Sequence, residues 1–314
     1  MNGNELFAAR GVMNNLRLES IHSKAMALNR FLVGKTYPPV TTDVTLEALQ
    51  KYARAYNDDN PAFFEPAAAG AILAPPMFNA VVTWLPLITA ISDPELRVDL
   101  LRLLHRSQDM QFFTPIRPDD RISASATITS IESDTAGEII TIDLDASNQH
   151  RQVVSRTRFT ALIRGRRERD PSLQASSPGR MTTSREPALS VPQTIDRDQT
   201  VRYADASGDR NPIHLDKAVA RMAGLTGIIV HGLCTMAFTS KVIIDHLCGG
   251  NPAGLRRLAV SFSRPVFPGD TITTSAWREN DGDGVTRFSY ETCNRAGVAV
   301  IRDGVAEISP ECAG

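Results

Sequence analysis

The segment Tyr203-Ala-Asp-Ala-Ser-Gly-Asp-Arg-Asn-Pro-Ile-His214 occurs twice in this chain, once whole and once eroded. Its echo is Tyr52-Ala-Arg-Ala-Tyr-Asn-Asp-Asp-Asn-Pro-Ala-Phe63, where Tyr, Ala, Ala, Asp, Asn and Pro recur in place at an offset of 151. A second echo pairs Phe112-Phe-Thr-Pro115-Ile-Arg-Pro118-Asp-Asp120 with Phe262-Ser-Arg-Pro265-Val-Phe-Pro268-Gly-Asp270 at an offset of 150. Two echoes at nearly one spacing mean two copies of one unit of about 150 residues, far longer than a solenoid repeat. The 314 residues therefore divide into an N-terminal copy, 1–163, and a C-terminal copy, 193–314. Between them, residues 164–192 are rich in Ser, Pro and Arg, as a solvated connector is.

Each copy reads in the same order. In the second, Asp196 to Ala206 carries no Pro or Gly and predicts a short helix, with Thr200 as a candidate cap. Gly232 to Leu247 places Leu233, Met236, Ala237, Val242, Ile243 and Leu247 at helical spacing with few charges, so this helix must be largely enclosed. Four strand-like runs follow: Leu258–Pro265, Thr271–Trp277, Thr286–Cys293 and Val298–Ile308. The first copy predicts helices at Leu46–Tyr56 and Phe78–Ile91, then strands at Asp109–Pro115, Arg121–Ile131, Ile139–Asn148 and Gln152–Ile163. One enclosed helix followed by a run of antiparallel strands is an α+β pattern, a sheet wrapped around a helix. Two fused units make a pseudo-dimer with a groove where they meet.

Composition sets the class. The chain is 42% hydrophobic and 22% charged, with 34 Lys plus Arg against 35 Asp plus Glu. A net charge of -1 leaves no broad basic footprint for nucleic acid or an anionic membrane surface. With 5 Tyr, 2 Trp and 12 Phe, a base-stacking platform is not expected either. The N-terminus lacks a basic segment followed by an apolar run, and the longest apolar stretch, Ala80 to Ile91, is broken by Thr83, Pro86 and Thr89. Cys234, Cys248, Cys293 and Cys312 have neither zinc-ligand nor disulfide-framework spacing and suit a reducing compartment. A cytoplasmic protein is the expectation.

The chemistry sits on one loop and the helix after it. Ser207-Gly-Asp-Arg-Asn-Pro-Ile-His214 sets a carboxylate and an imidazole five residues apart. Pro212 forces Asn211 out of helical dihedrals and Gly208 permits a tight path, so Asp209 and His214 can aim at one point. Such a pair holding one water is competent to add or remove water, because an imidazole near pKa ~6.5 carries a proton either way. Downstream, Gly227-Ile-Ile-Val-His231-Gly232 precedes the enclosed helix, whose first amides point at any oxyanion placed there. A thioester carbonyl in that position has an acidified α-carbon. Taken singly, Asp-x-Asn-Pro is a common turn and either histidine is a common core residue; together they describe hydration of an α,β-unsaturated thioester or its reverse. No dinucleotide or phosphate loop and no nucleophile elbow occurs, and His22, His105, His150, His214, His231 and His246 show no metal-ligand spacing.

Tyr203 to Ala220 resembles the signature of the MaoC-like (R)-specific enoyl-CoA hydratases and dehydratases, through Ser207, Gly208, Asp209, Asn211, Pro212, Ile213, His214 and the small Ala220. Ala206 stands where that family often carries a larger aliphatic residue. The resemblance implies a double hot-dog fold, Asp209 and His214 as the catalytic pair, and the Gly232 amide in the oxyanion hole. It further implies Asn211 as the brace of the loop, and Asn211, Ser207, Gly208 and His231 beside the substrate. No metal or redox cofactor is implied, since coenzyme A or a pantetheine arm belongs to the substrate. The implied partner is an acyl-CoA or an acyl-carrier-protein thioester.

The first copy departs from the pattern. Phe63 stands for His214, Asn57 for Gly208, and Pro75 for Gly232 at a local offset of 157. Phe transfers no proton and Pro donates no amide hydrogen, so this half cannot run the reaction by that arrangement. Its expected task is to shape the acyl pocket, with Phe78, Trp84, Leu85 and Leu87 as lining and with Asp58 and Asp59 as turn residues. Two rival functions stay open. One is a dehydratase on carrier-protein thioesters in polyketide or fatty-acid synthesis, docked through Arg164–Arg169 or Arg256 and Arg257. The other is a non-catalytic acyl-thioester-binding subunit. A homodimer of the pseudo-dimer is compatible with all three.

Overall fold

The computed structural model describes residues 27–66, 72–165, 185–279 and 284–310. Within them a single ten-stranded antiparallel sheet carries both copies, in the order β1-β3-β4-β5-β2-β7-β10-β9-β8-β6. The N-terminal half supplies β1 (Val40–Asp43), β2 (Leu103–Phe112), β3 (Arg121–Asp134), β4 (Gly137–Ser147) and β5 (Val153–Arg164). The C-terminal half supplies β6 (Leu189–Thr194), β7 (Leu255–Phe262), β8 (Thr271–Arg278), β9 (Thr286–Asn294) and β10 (Ala299–Ile308). Burial alternates residue by residue along β3 and β8, as it must where one face packs on helices and the other meets water.

The halves join where β2 pairs with β7, and the register there locates a pseudo-twofold axis. Asp109 lies opposite Ala259, its own repeat position at the offset of 150. Tyr52 and Tyr203, related by the offset of 151, meet on the same axis with hydroxyls 3.1 Å apart in the core. On the outer face the join is fastened by charge. Arg257 holds Asp109 through both Nε and Nη2, at 2.9 and 2.7 Å, and also reaches Glu307, which Arg287 shares. This planar two-point geometry is the strong form of the ion pair.

Helices cover the other face: α1 (Leu46–Arg54), α2 (Asn79–Val82), α3 (Trp84–Ile91), α4 (Gln199–Ser207), α5 (Lys217–Met222) and α6 (Gly232–Leu247). α6 keeps the predicted bounds and is buried from Cys234 to Ser240 without interruption. The matching N-terminal helix is broken at Thr83 into α2 and α3, because Pro86 has no N–H for the carbonyl of Val82. The core under α6 runs across both halves and includes Leu49, Tyr52, Phe78, Phe238, Leu258 and Tyr290, while α3 covers a second cluster around Leu87, Ile128, Ile142 and Phe159. No helix among the described residues is long and apolar enough to cross a membrane.

Several details differ from the sequence expectation. Thr200 lies buried inside α4 and Asp198 is the N-cap position, so Thr200 caps nothing. β1 and β6 were not anticipated; each is a short edge strand, against β3 and β8 respectively, and Leu189–Thr194 includes the end of the expected connector. The rest of that connector, residues 166–184, lies outside the described residues. β2 and β7 both begin well before the predicted Asp109 and Leu258. In each a bulge interrupts the alternation, at Arg106 between His105 and Ser107, and at Arg256 between Leu255 and Arg257. Period two is lost there, and with it the strand signal.

Candidate active site

The loop from Ser207 to His214 is built from its own hydrogen bonds. α4 stops because Gly208 turns left-handed at φ +82°, its N–H closing on the carbonyl of Ala204. Ser207 Oγ donates to the carbonyl of Tyr203 at 2.7 Å and accepts from the Asp209 amide at 3.2 Å. Asp209 Oδ1 accepts the Asn211 amide at 3.1 Å, and Asn211 Oδ1 caps the turn Pro212–His214 through the Ile213 amide. The eroded copy folds identically: Asp58 accepts from Asn60, Asn60 accepts from Ala62, and Asn57 takes the left-handed step at φ +60°. Asp58 and Asp59 are turn residues held by Lys241, at 3.5 and 2.8 Å. Phe63, fully buried, fills the place of the imidazole.

His214 is 7% exposed, and its Nδ1–H donates to the carbonyl of Ile229 at 2.8 Å, which leaves Nε2 with a free lone pair. His231 is 1% exposed and donates Nε2–H to the backbone carbonyl of Asp209 at 3.0 Å, binding the loop to the head of α6. The two rings stack with centroids 3.8 Å apart. Burial pushes both histidines below the ordinary imidazole value despite Asp209 nearby, His231 down to about 4. Both are neutral at pH 7. One side-chain ligand atom from each of Asp209, His214 and His231 falls within 4.8 Å of the others. Imidazoles donate in their ring planes, so a stacked pair does not converge on one ion at the ~2.0–2.1 Å that coordination needs. The cluster suits proton transfer.

His231 is also the N-cap of α6 and offers the helix no side-chain cap. The first amides of α6, beginning with Gly232, receive no side-chain cap and follow directly on His231 of the cluster. The fit at the head is tight: a Cβ on Gly232 comes within 3.3 Å of the Phe262 ring. The N-terminal half closes the other side. Trp84 of α3 lies 3.5 Å from a Cβ built on Gly208, whereas Leu87 belongs to the separate cluster under α3 and Phe78 packs on Tyr52. His105 of β2 packs against Phe262 at 4.7 Å and feels the charge of Asp209. Asp209 and His214 lie together, and Gly232 follows His231 of the same cluster at the head of α6. Ser207, Asn211 and His231 serve the loop itself, and His105 and Phe262 were missed.

Residues 180–299 match the family described as MaoC like domain, and residues 31–157 match the FAS1-like dehydratase domain region. The chain belongs to the MaoC-like dehydratase family. It is 29% identical over 217 residues to a probable enoyl-CoA hydratase 2 of Dictyostelium discoideum, covering 68% of this chain and 72% of that one. The MaoC-like dehydratase structure from Phytophthora capsici superimposes with a TM-score of 0.75 at 21% identity, covering 92% of this chain and 100% of that chain. A Mycobacterium tuberculosis protein described as having a double hotdog fold superimposes with a TM-score of 0.59 at 10% identity, covering 88% and 96% of the two chains. This MaoC-like chain is a double hot-dog, one sheet shared by two helix-wrapping halves.

Proposed function

We propose that this protein interconverts trans-2-enoyl thioesters and (R)-3-hydroxyacyl thioesters. The observation that carries the reading is the single constellation of Asp209, His214 Nε2 and the uncapped head of α6. In the dehydrating direction, neutral His214 Nε2 takes the α-proton of the hydroxyacyl thioester. The resulting negative charge collects on the thioester oxygen, where the Gly232 amide stabilises it. The C3–O bond then breaks as the proton on His214 passes to the leaving hydroxyl, giving water and the C2–C3 double bond. Asp209 accepts a hydrogen bond from that hydroxyl and fixes its orientation. Hydration is the reverse. Depressed basicity keeps His214 unprotonated at neutral pH, as the proton-abstracting step requires.

Of the basic residues considered for carrier-protein docking, Arg257 is engaged by Asp109 and Glu307 on the outer face, while Arg256 is exposed. The test is turnover of crotonyl-CoA and trans-2-octenoyl-CoA with chiral analysis of the product. Asp209→Asn and His214→Ala should each lower kcat/KM by about 10²–10⁴-fold. An (S)-product would refute the stereochemistry. Turnover only of carrier-bound thioesters selects the synthase-type dehydratase, and thioester binding without turnover of either selects a binding subunit.

A further inference from the structure

The two halves supply an internal control for every position in the cleft. β2 and β7 each bulge at the same repeat position, Arg106 and Arg256, so the structural equivalence of the flanking residues is fixed by backbone as well as by the offset of 150. On that equivalence Leu255 and Leu258, both fully buried, are the counterparts of His105 and Gln108. The bulge turns His105 and Gln108 to the same face, where the His105 ring nitrogen Nε2 lies 3.0 Å from Gln108 Oε1. Gln108 is 2% exposed. His105 is half-buried between Phe159 and Phe262, at ring distances of 4.5 and 4.7 Å. One ring, Phe262, separates it from Gly232.

Two leucines satisfy this fold at these positions, so the strand does not require polar groups there. A polar pair under the helices costs desolvation that leucines avoid, and departures from the apolar rule concentrate at functional sites. The polar pair stands on the side with the intact Asp209 and His214. Of the leucine pair, Leu255 stands on the side with Pro75, where it lines a cleft with Pro75 and Phe112. Charge narrows the ligand. Burial drops His105 to about 4, so it is neutral, and the Asp209 carboxylate reaches it electrostatically. An anionic tail would be repelled.

We propose that His105 and Gln108 form a specificity site on the floor of the acyl pocket, recognising an acyl thioester whose chain carries an uncharged oxygen, keto or hydroxyl. This rests on the reading of the cleft as the thioester site, and its test uses binding alone. Affinities of octanoyl-CoA and its 4-, 5-, 6- and 7-oxo counterparts, none of which can be hydrated, are measured by calorimetry for wild type, His105→Leu, Gln108→Leu and the double variant. Wild type should bind at least one oxo compound about tenfold more tightly than octanoyl-CoA, the worth of one good hydrogen bond. The ratio should fall to near one in the double variant and persist in part in His105→Gln. Thermal unfolding verifies that each variant is folded, and the wild-type ratio needs no variant. Equal wild-type affinities for all five compounds, or a ratio that survives in the double variant, would overturn the proposal. Absence of enoyl hydration with the ratio intact would instead sink only the catalytic reading.

Discussion

His231 makes acid stability a direct test of the loop's architecture. Its folded value is about 4 against 6.5 for an exposed imidazole, with burial as the main cause and the charge of His214 next. Between those two pH values the unfolded chain binds a proton that the native protein refuses, so stability falls as pH falls through this window. Above pH 6.5 the full contribution is present; below about 4 it has gone. At ~1.4 kcal/mol per pH unit, the whole effect is about 3 kcal/mol, of which roughly 2 is lost by pH 4.5. His231→Gln retains an N–H for the Asp209 carbonyl and removes the titration. The assay is urea unfolding of wild type and variant at pH 7.0, 6.0, 5.0 and 4.5 at one ionic strength, with a common m-value confirming comparable transitions. The variant starts about 1 kcal/mol less stable through lost ring packing, but its curve against pH should be flatter by about 2 kcal/mol at pH 4.5. Parallel curves would mean that His231 protonates as readily folded as unfolded. The donation from Nε2–H to Asp209, and the neutral stack with His214, would then be wrong.

Gly232→Ala forces its Cβ to 3.3 Å from the Phe262 ring, so kcat/KM should fall about tenfold and recover in part when Phe262→Leu is added, measured as a double-mutant cycle on octenoyl-CoA hydration. Tyr203→Phe leaves the Tyr52 hydroxyl buried without its partner and should cost about 1–2 kcal/mol in urea unfolding. The double change Tyr52→Phe with Tyr203→Phe should cost less than the two single changes added, and simple additivity would refute a direct hydroxyl contact on the axis.

The repeat was legible because turn chemistry is local. Asp-x-Asn-Pro spells its own hydrogen bonds, and Asn57 preserves the left-handed step that Gly208 makes, so the loop survives in a half that has lost its imidazole. α6 was legible to the residue because an enclosed helix headed by glycine is marked in composition and at its boundary. The edge strands and the starts of β2 and β7 were not. β1 and β6 are too short to establish a period, and the bulges at Arg106 and Arg256 break the period where it would have been read. That break also hid His105 and Gln108, whose shared face exists only once the extra residue is counted. Phe262 could have been found: it heads the second echo, and its partner Phe112 lines the corresponding cleft in the eroded half.

A twofold pair begins with two equivalent clefts, and each cleft draws its loop from one half and its floor from the other. Erosion here follows the cleft and not the half. Pro75, which has no amide hydrogen to donate, belongs to the N-terminal copy, but Leu255, which lines the same cleft, belongs to the C-terminal copy. Conversely the surviving cleft combines Asp209 and His214 with His105, Gln108 and Trp84 from the other copy. With tasks so divided, neither half contains a complete site. On the proposed reading, reactivity falls to the C-terminal copy and choice of acyl group to the N-terminal one.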